Sequence, residues 1–164
     1  MIYYSHLEDY IKNLYTSIGI NKPEQLNRYS IAFKLGITLY TFNGASEGVY
    51  SNGRQYIFLN RNLTEREQWQ EFGHELCHVL RHAGNQKKMS RTFIEYQEWQ
   101  ADNFTLHFCI PTFMLRGLGL PQDHQKAIWE IRKNFNVTHE FACKRLDMYK
   151  SKVYQEVVSG GRSN

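Results

Sequence analysis

His74-Glu75-Leu76-Cys77-His78 is the stretch from which the rest of the chain is read. On an α-helix, residues i and i+4 lie on one face, so both imidazoles can meet at a single metal ion. Glu75 follows the first histidine by one position, about 100° round the helix. From there it flanks an open coordination position without ligating. Zinc lowers the pKa of its bound water, and a nearby carboxylate can take the proton as that water attacks a carbonyl. The pentapeptide also arises in ordinary amphipathic helices, so its surroundings decide what it means.

Upstream, Thr64-Glu65-Arg66-Glu67 has the capping-box spacing. It predicts a long helix from there to about Arg81, ended by His82-Ala83-Gly84-Asn85. Before it come Ile37-Thr38-Leu39-Tyr40-Thr41-Phe42, Val49-Tyr50 and Gln55-Tyr56-Ile57-Phe58-Leu59-Asn60, rich in β-branched and aromatic residues. Ser51-Asn52-Gly53-Arg54 between the last two is a hairpin signal. A small, mainly antiparallel sheet is therefore expected over 37–60. After the motif, 86–91 reads as a polar, basic loop, and 92–109 as a helix stopping before Pro111.

The flanks are helical. Residues 5–18 carry the apolar stripe Leu7, Ile11, Leu14 and Ile18. Residues 23–35 read as one helix between Pro23 and Gly36. Helices near 123–135 and 138–150 follow, the second capped by Thr138. Ser159 to Asn164 reads as a frayed tail. The fold class expected is α+β and zincin-like, a small sheet packed on the motif helix and an acid-bearing helix. Two units are anticipated: a core with N-terminal helices over 1–115, and a helix-turn-helix-like extension over 116–164 packed on it.

A catalytic zinc takes three protein ligands and keeps one position open. The 92–109 helix offers Glu95, Glu98 and Asp102. With Glu98 as ligand, Asp102 lies one turn on and can accept a hydrogen bond from the free nitrogen of a zinc-bound histidine. With Glu95 as ligand, Asp102 is about two turns away and out of reach. His82 would sit about 12 Å along the axis from His74, too far to share the ion. Cys77 points to another sector and reads as a small buried apolar residue. His107 reads as a polar helix residue rather than a ligand.

The bulk numbers set limits. The 164 residues favour one domain or one with a small appendage; 41% are hydrophobic, 15% aromatic and 22% charged, which suits a globular core. Net charge is 20 − 16 = +4 with the basic residues scattered, a weak footprint for nucleic acid. Three cysteines, Cys77, Cys109 and Cys143, form no disulfide framework and fit a reducing cytoplasm. The start of the chain lacks a signal-peptide pattern, and no stretch is long enough to span a membrane.

Glu98-Trp99-Gln100-Ala101-Asp102-Asn103-Phe104, leading to Cys109-Ile110-Pro111, completes a larger pattern. Together with the zinc motif, over roughly 20–115, it resembles the ImmA/IrrE metallopeptidases. The resemblance implies that His74, His78 and Glu98 bind Zn2+ and that Glu75 is the general base. Many members have glycine at Cys77 and small residues at Thr105-Leu106-His107; neither departure touches a ligand. It also implies a protease encoded by a mobile element or prophage. Such a protease cleaves a repressor with a helix-turn-helix DNA-binding domain and so derepresses genes.

Other readings stay open at this level. A zinc-stabilised, non-catalytic module could bind a repressor or DNA. The cadence of 127–146, with Lys144 and Arg145 on its second helix, suits either DNA contact or a helical pair packed on the core. Tyr96, Arg116 and His124 are chemically able to stabilise a transition state, and an edge strand of the 37–60 sheet could align a substrate by strand addition.

Overall fold

The computed structural model describes residues 4–81 and 89–160; the predicted helix stop at 82–85, residues 86–88 of the expected loop and 161–164 of the expected tail lie outside them. In chain order the elements are α1 (His6–Ser17), a 3-10 turn (Pro23–Gln25), α2 (Arg28–Lys34), β1 (Ile37–Phe42), β2 (Glu47–Ser51) and β3 (Arg54–Asn60). They continue with α3 (Glu65–Arg81), α4 (Arg91–Cys109), α5 (Thr112–Gly117), α6 (His124–Phe135) and α7 (His139–Gly160). The architecture is α+β, as expected. No helix among the described residues is long and apolar enough to cross a membrane.

Local chemistry sets most boundaries. Ser5 and Glu8 form a reciprocal capping box at the start of α1. At α3, the Glu67 N–H donates to the Thr64 hydroxyl at 3.3 Å and the Thr64 N–H to the Glu67 carboxylate at 2.8 Å. Ser90, Asp123 and Thr138 accept from the first turns of α4, α6 and α7. The single helix expected over 23–35 is broken instead. Asn27 accepts from the N–H groups of Tyr29 and Ser30, both at 3.0 Å, and so starts α2 afresh after the 3-10 turn. Helix α7 runs ten residues past the expected end at 150, and the short α5 was not foreseen.

The sheet is mixed, with strand order β1-β3-β2, where a mainly antiparallel one was expected. β2 and β3 form the predicted hairpin, with Asn52 and Gly53 both left-handed (φ 51° and 73°), as a tight primed turn requires. β3 then inserts between its two predecessors and runs parallel to β1. The reason lies in burial: β3 is the most buried strand, with Ile57 and Leu59 wholly buried, so it takes the central position. Ile37, Leu39, Ile57 and Leu59 share the face turned to the helices, and Gln55 on that face donates to the Val79 carbonyl of α3. Tyr40, Phe42, Tyr56 and Phe58 form an aromatic cluster on the other face.

Helices α3 and α4 run antiparallel: Cys109 Sγ donates to the Trp69 carbonyl at one end, and His78 faces Glu98 at the other. Between them Gly73 lies so close to Thr105, Phe108 and Cys109 that a Cβ there would stand 3.1–3.2 Å from their side chains. Trp69 and Phe72 pack on Phe108, which also stacks on Phe104 and on Tyr15 of α1. The same core continues into Ile128, Ile131, Phe135, Val137, Ala142 and Leu146, so α6 and α7 share it. Thr138 at their junction donates its N–H to Gln70 of α3 at 2.8 Å.

One polar cluster is buried with the core. Thr112 donates to Glu8 at 2.6 Å, Arg145 donates to Thr112 at 2.7 Å and to the Ile110 carbonyl at 3.2 Å, and Lys152 pairs with Glu8. Burial opposes the charge on Glu8, but Lys152, the Ser5 N–H and Thr112 outweigh it, and its carboxyl sits at about 2. His107, 4.0 Å from Glu8, is lowered to about 4, first by burial and then by Arg145. Both groups bind protons more readily unfolded than folded, so stability rises with pH through their windows. Denaturant melts at a series of pH values should show stability falling from pH 6.5 towards 4 as the unfolded histidine takes up its proton, then further below 4.5. A His107→Gln variant should flatten the upper part of that slope and leave the lower part.

Candidate metal centre

The two histidines stand one turn apart on α3, where the capping box and the buried stripe of Trp69, Phe72 and Leu76 fix which face turns to α4. Their imidazoles meet the carboxylate of Glu98. His74 Nε2 lies 3.1 Å from Glu98 Oε2, His78 Nε2 lies 3.3 Å from Glu98 Oε1, and the two Nε2 atoms are 3.1 Å apart. Among the described residues this trio is the one group of histidine, cysteine or acid side chains whose ligand atoms all lie within 4.8 Å of one another.

The donor set fits a zinc ion. Ligands about 2.0–2.1 Å from a tetrahedral centre stand roughly 3.3 Å from each other, close to the separations seen here. Two imidazoles and one carboxylate are also the ligand types of open catalytic zinc sites. The Glu98 side chain is 43% exposed, which leaves one side of the trio open. Asp102, one turn beyond Glu98, places Oδ1 3.3 Å from His74 Nδ1. That contact fixes the ring so that Nε2 faces the trio, the role such carboxylates play beside metal-bound histidines.

Glu75 lies next to the trio and apart from it. It is 8% exposed. Burial pushes its carboxyl up to about 7; His74 and the Gly48 N–H pull it down, while Glu71 and Glu98 push it further up. A carboxyl near neutrality suits proton transfer at ordinary pH.

The remaining candidates fall elsewhere. Glu95 pairs with Arg91 at 2.9 Å. His82 lies outside the described residues. Cys77 is wholly buried and its thiol is pushed up to about 12, chiefly by burial, so it is protonated and inert. Tyr96 stacks on Trp99 and accepts from Gln100, Arg116 donates to Tyr4, and His124 lies against Lys150. Arg145 is 1% exposed and tied to Ile110 and Thr112, while Lys144 is exposed. Gly48 and Gly73, which let β2 and α4 close on α3, lie outside the sequence motifs of the site. A glycine inside a strand marks close backbone approach, so Gly48 carried a usable signal.

Residues 23–147 match the family model Peptidase_M78, the IrrE N-terminal-like domain. From Bacillus subtilis (strain 168), the phage-like element PBSX protein XkdA is 48% identical over 147 residues, covering 90% of this chain and 74% of XkdA. The uncharacterized protein YqaB of the same strain is 43% identical over 155 residues, covering 94% of this chain and 90% of YqaB. Among solved structures, a Mycobacterium tuberculosis transcriptional regulator superposes with a TM-score of 0.60 at 17% identity. The match takes in 87% of this chain but only 56% of that one, and it speaks to shared fold alone.

The geometry makes a direct prediction. Titration of metal-free protein with zinc should give one ion per chain and a raised Tm. His78→Ala and Glu98→Ala should lose that ion, and Asp102→Asn should weaken binding by about 10- to 100-fold. Isothermal calorimetry reads all three.

Proposed function

The chain belongs to the peptidase family of the IrrE N-terminal-like domain, and on that premise we propose that it is a cytoplasmic zinc-dependent endopeptidase. Its substrate in this proposal is a partner protein, a helix-turn-helix repressor of a mobile element or prophage, whose cleavage derepresses genes. The observation that carries the enzymatic part is the open trio of His74, His78 and Glu98 with the buried Glu75 carboxyl beside it. The regulatory part is supported by the phage-like element named for XkdA.

His74, His78 and Glu98 would hold the ion, and Asp102 would keep the His74 ring turned to it. Zinc supplies Lewis acidity, making a water nucleophilic and polarising the scissile carbonyl. Glu75 takes the proton from that water and later delivers it to the leaving amine. Its partly desolvated setting keeps its affinity for a proton high enough for both transfers. With three protein ligands and one exposed side, the site leaves room for water and substrate, where a purely structural zinc would be closed by a fourth protein ligand.

The test pairs the zinc-loaded protein with the repressor encoded beside its gene and maps fragments by mass spectrometry. The wild type should cut the repressor at a defined bond. Glu75→Gln should keep its zinc and lose about 10²- to 10⁴-fold in rate, the usual worth of a general base. Cleavage at the wild-type rate by that variant would rule out the mechanism, and an intact but bound repressor would favour a non-catalytic module.

A further inference from the structure

Gly48 is the second residue of β2, an outer strand of the sheet, and packs directly on α3. A Cβ built on it would stand 2.7 Å from Val79 Cγ2, 2.9 Å from the Glu75 carbonyl oxygen and 3.5 Å from Glu75 Oε2. No ordinary side chain fits that gap. Its conformation is ordinary extended strand, so the reason for glycine here is the close approach and not the backbone angle. The approach has a chemical result: it sets the Gly48 backbone beside the Glu75 carboxylate, with a Cβ position only 3.5 Å from Oε2, and the Gly48 N–H favours the charged form of that carboxyl.

We infer that Gly48 is a positioning residue, whose missing side chain lets strand β2 close on helix α3 and whose N–H holds the Glu75 carboxylate in place beside His74, His78 and Glu98. The inference rests on Glu75 acting as the base. A glutamate has three rotatable bonds, and several staggered rotamers compete unless a contact selects one. One oxygen fixed by a backbone amide leaves the other free to meet a proton from one direction. A backbone donor is well suited to this task because it is itself held by the pairing of β2 with β3 on its other side, at Glu47 with Phe58 and Val49 with Tyr56. The strand that carries Gly48 is also an outer one, so substrate docking along β2 and the orientation of Glu75 would be set by the same segment of backbone.

Two measurements test it. The first needs no substrate: the Gly48 amide proton is followed by 15N–1H NMR in the metal-free wild type, Glu75→Gln and Glu75→Ala. An amide proton moves upfield as its acceptor is weakened or removed, so the resonance should shift in Glu75→Gln and furthest in Glu75→Ala, which has no acceptor at all. An unmoved resonance in both overturns the inference, whatever the variants do to cleavage. The second measures Gly48→Ala on the neighbouring repressor, with zinc content read alongside. The expected result is one zinc per chain, little change in KM and a kcat about 10- to 100-fold lower, the scale of loss for a misplaced catalytic group. Full kcat in Gly48→Ala overturns it. If Gly48→Ala does not fold, the amide resonance decides alone. Loss of the Glu75 mechanism is distinguishable, because it would show as wild-type cleavage by Glu75→Gln with the amide shift still present.

Discussion

The close contact of α3 with α4 is the constraint on which the site depends. Gly73 lets the two helices approach until its backbone meets Thr105, Phe108 and Cys109. Because the helices run antiparallel, that contact sets the register of everything further along. His74 then falls opposite Glu98 and Asp102, and His78 opposite Glu98. The aromatic stack of Trp69, Phe72, Phe104 and Phe108 holds the pair together by burying large rings. A three-ligand trio with separations near 3.2 Å tolerates little drift, so the apolar contacts at one end of the helices set the metal chemistry at the other.

α4 serves as a spine between two polar sites of opposite character. Towards its middle it offers Glu98 and Asp102, both partly exposed, to the histidines of α3. Near its C-terminus His107 faces a sealed cluster in which Glu8, Thr112, Arg145 and Lys152 satisfy one another. The sealed cluster ties α1, α5 and α7 to the end of α4, since buried charges persist only when paired and hydrogen-bonded. Through it the C-terminal helices share the core rather than hang from it.

Much of this was legible in the sequence because it rests on local rules. Capping side chains at Thr64 and Thr138 announce helix starts within one residue, and the i, i+4 spacings of His74 with His78 and of Glu98 with Asp102 place those side chains on common faces. What was not legible depends on competition between distant segments. Strand order follows which strand buries most apolar surface, and that put β3 in the centre with a parallel neighbour. The break at Asn27 pits a side-chain cap against helix continuation, and the cap wins. Arg145 reads as a surface cation beside Lys144, yet it is turned inward because Ile110, Thr112 and Glu8 offer it acceptors and charge. Gly48 and Gly73 carry no side chain whose chemistry a motif could register; their meaning is the space they leave.

The central claim is that one zinc ion is held by side chains of two helices and keeps a position open for chemistry. X-ray diffraction from zinc-loaded crystals at the zinc absorption edge tests it most directly. The anomalous map should show a single strong peak bonded to His74, His78 and Glu98, with no fourth protein ligand. A peak elsewhere, or one closed by a fourth side chain, would contradict the account.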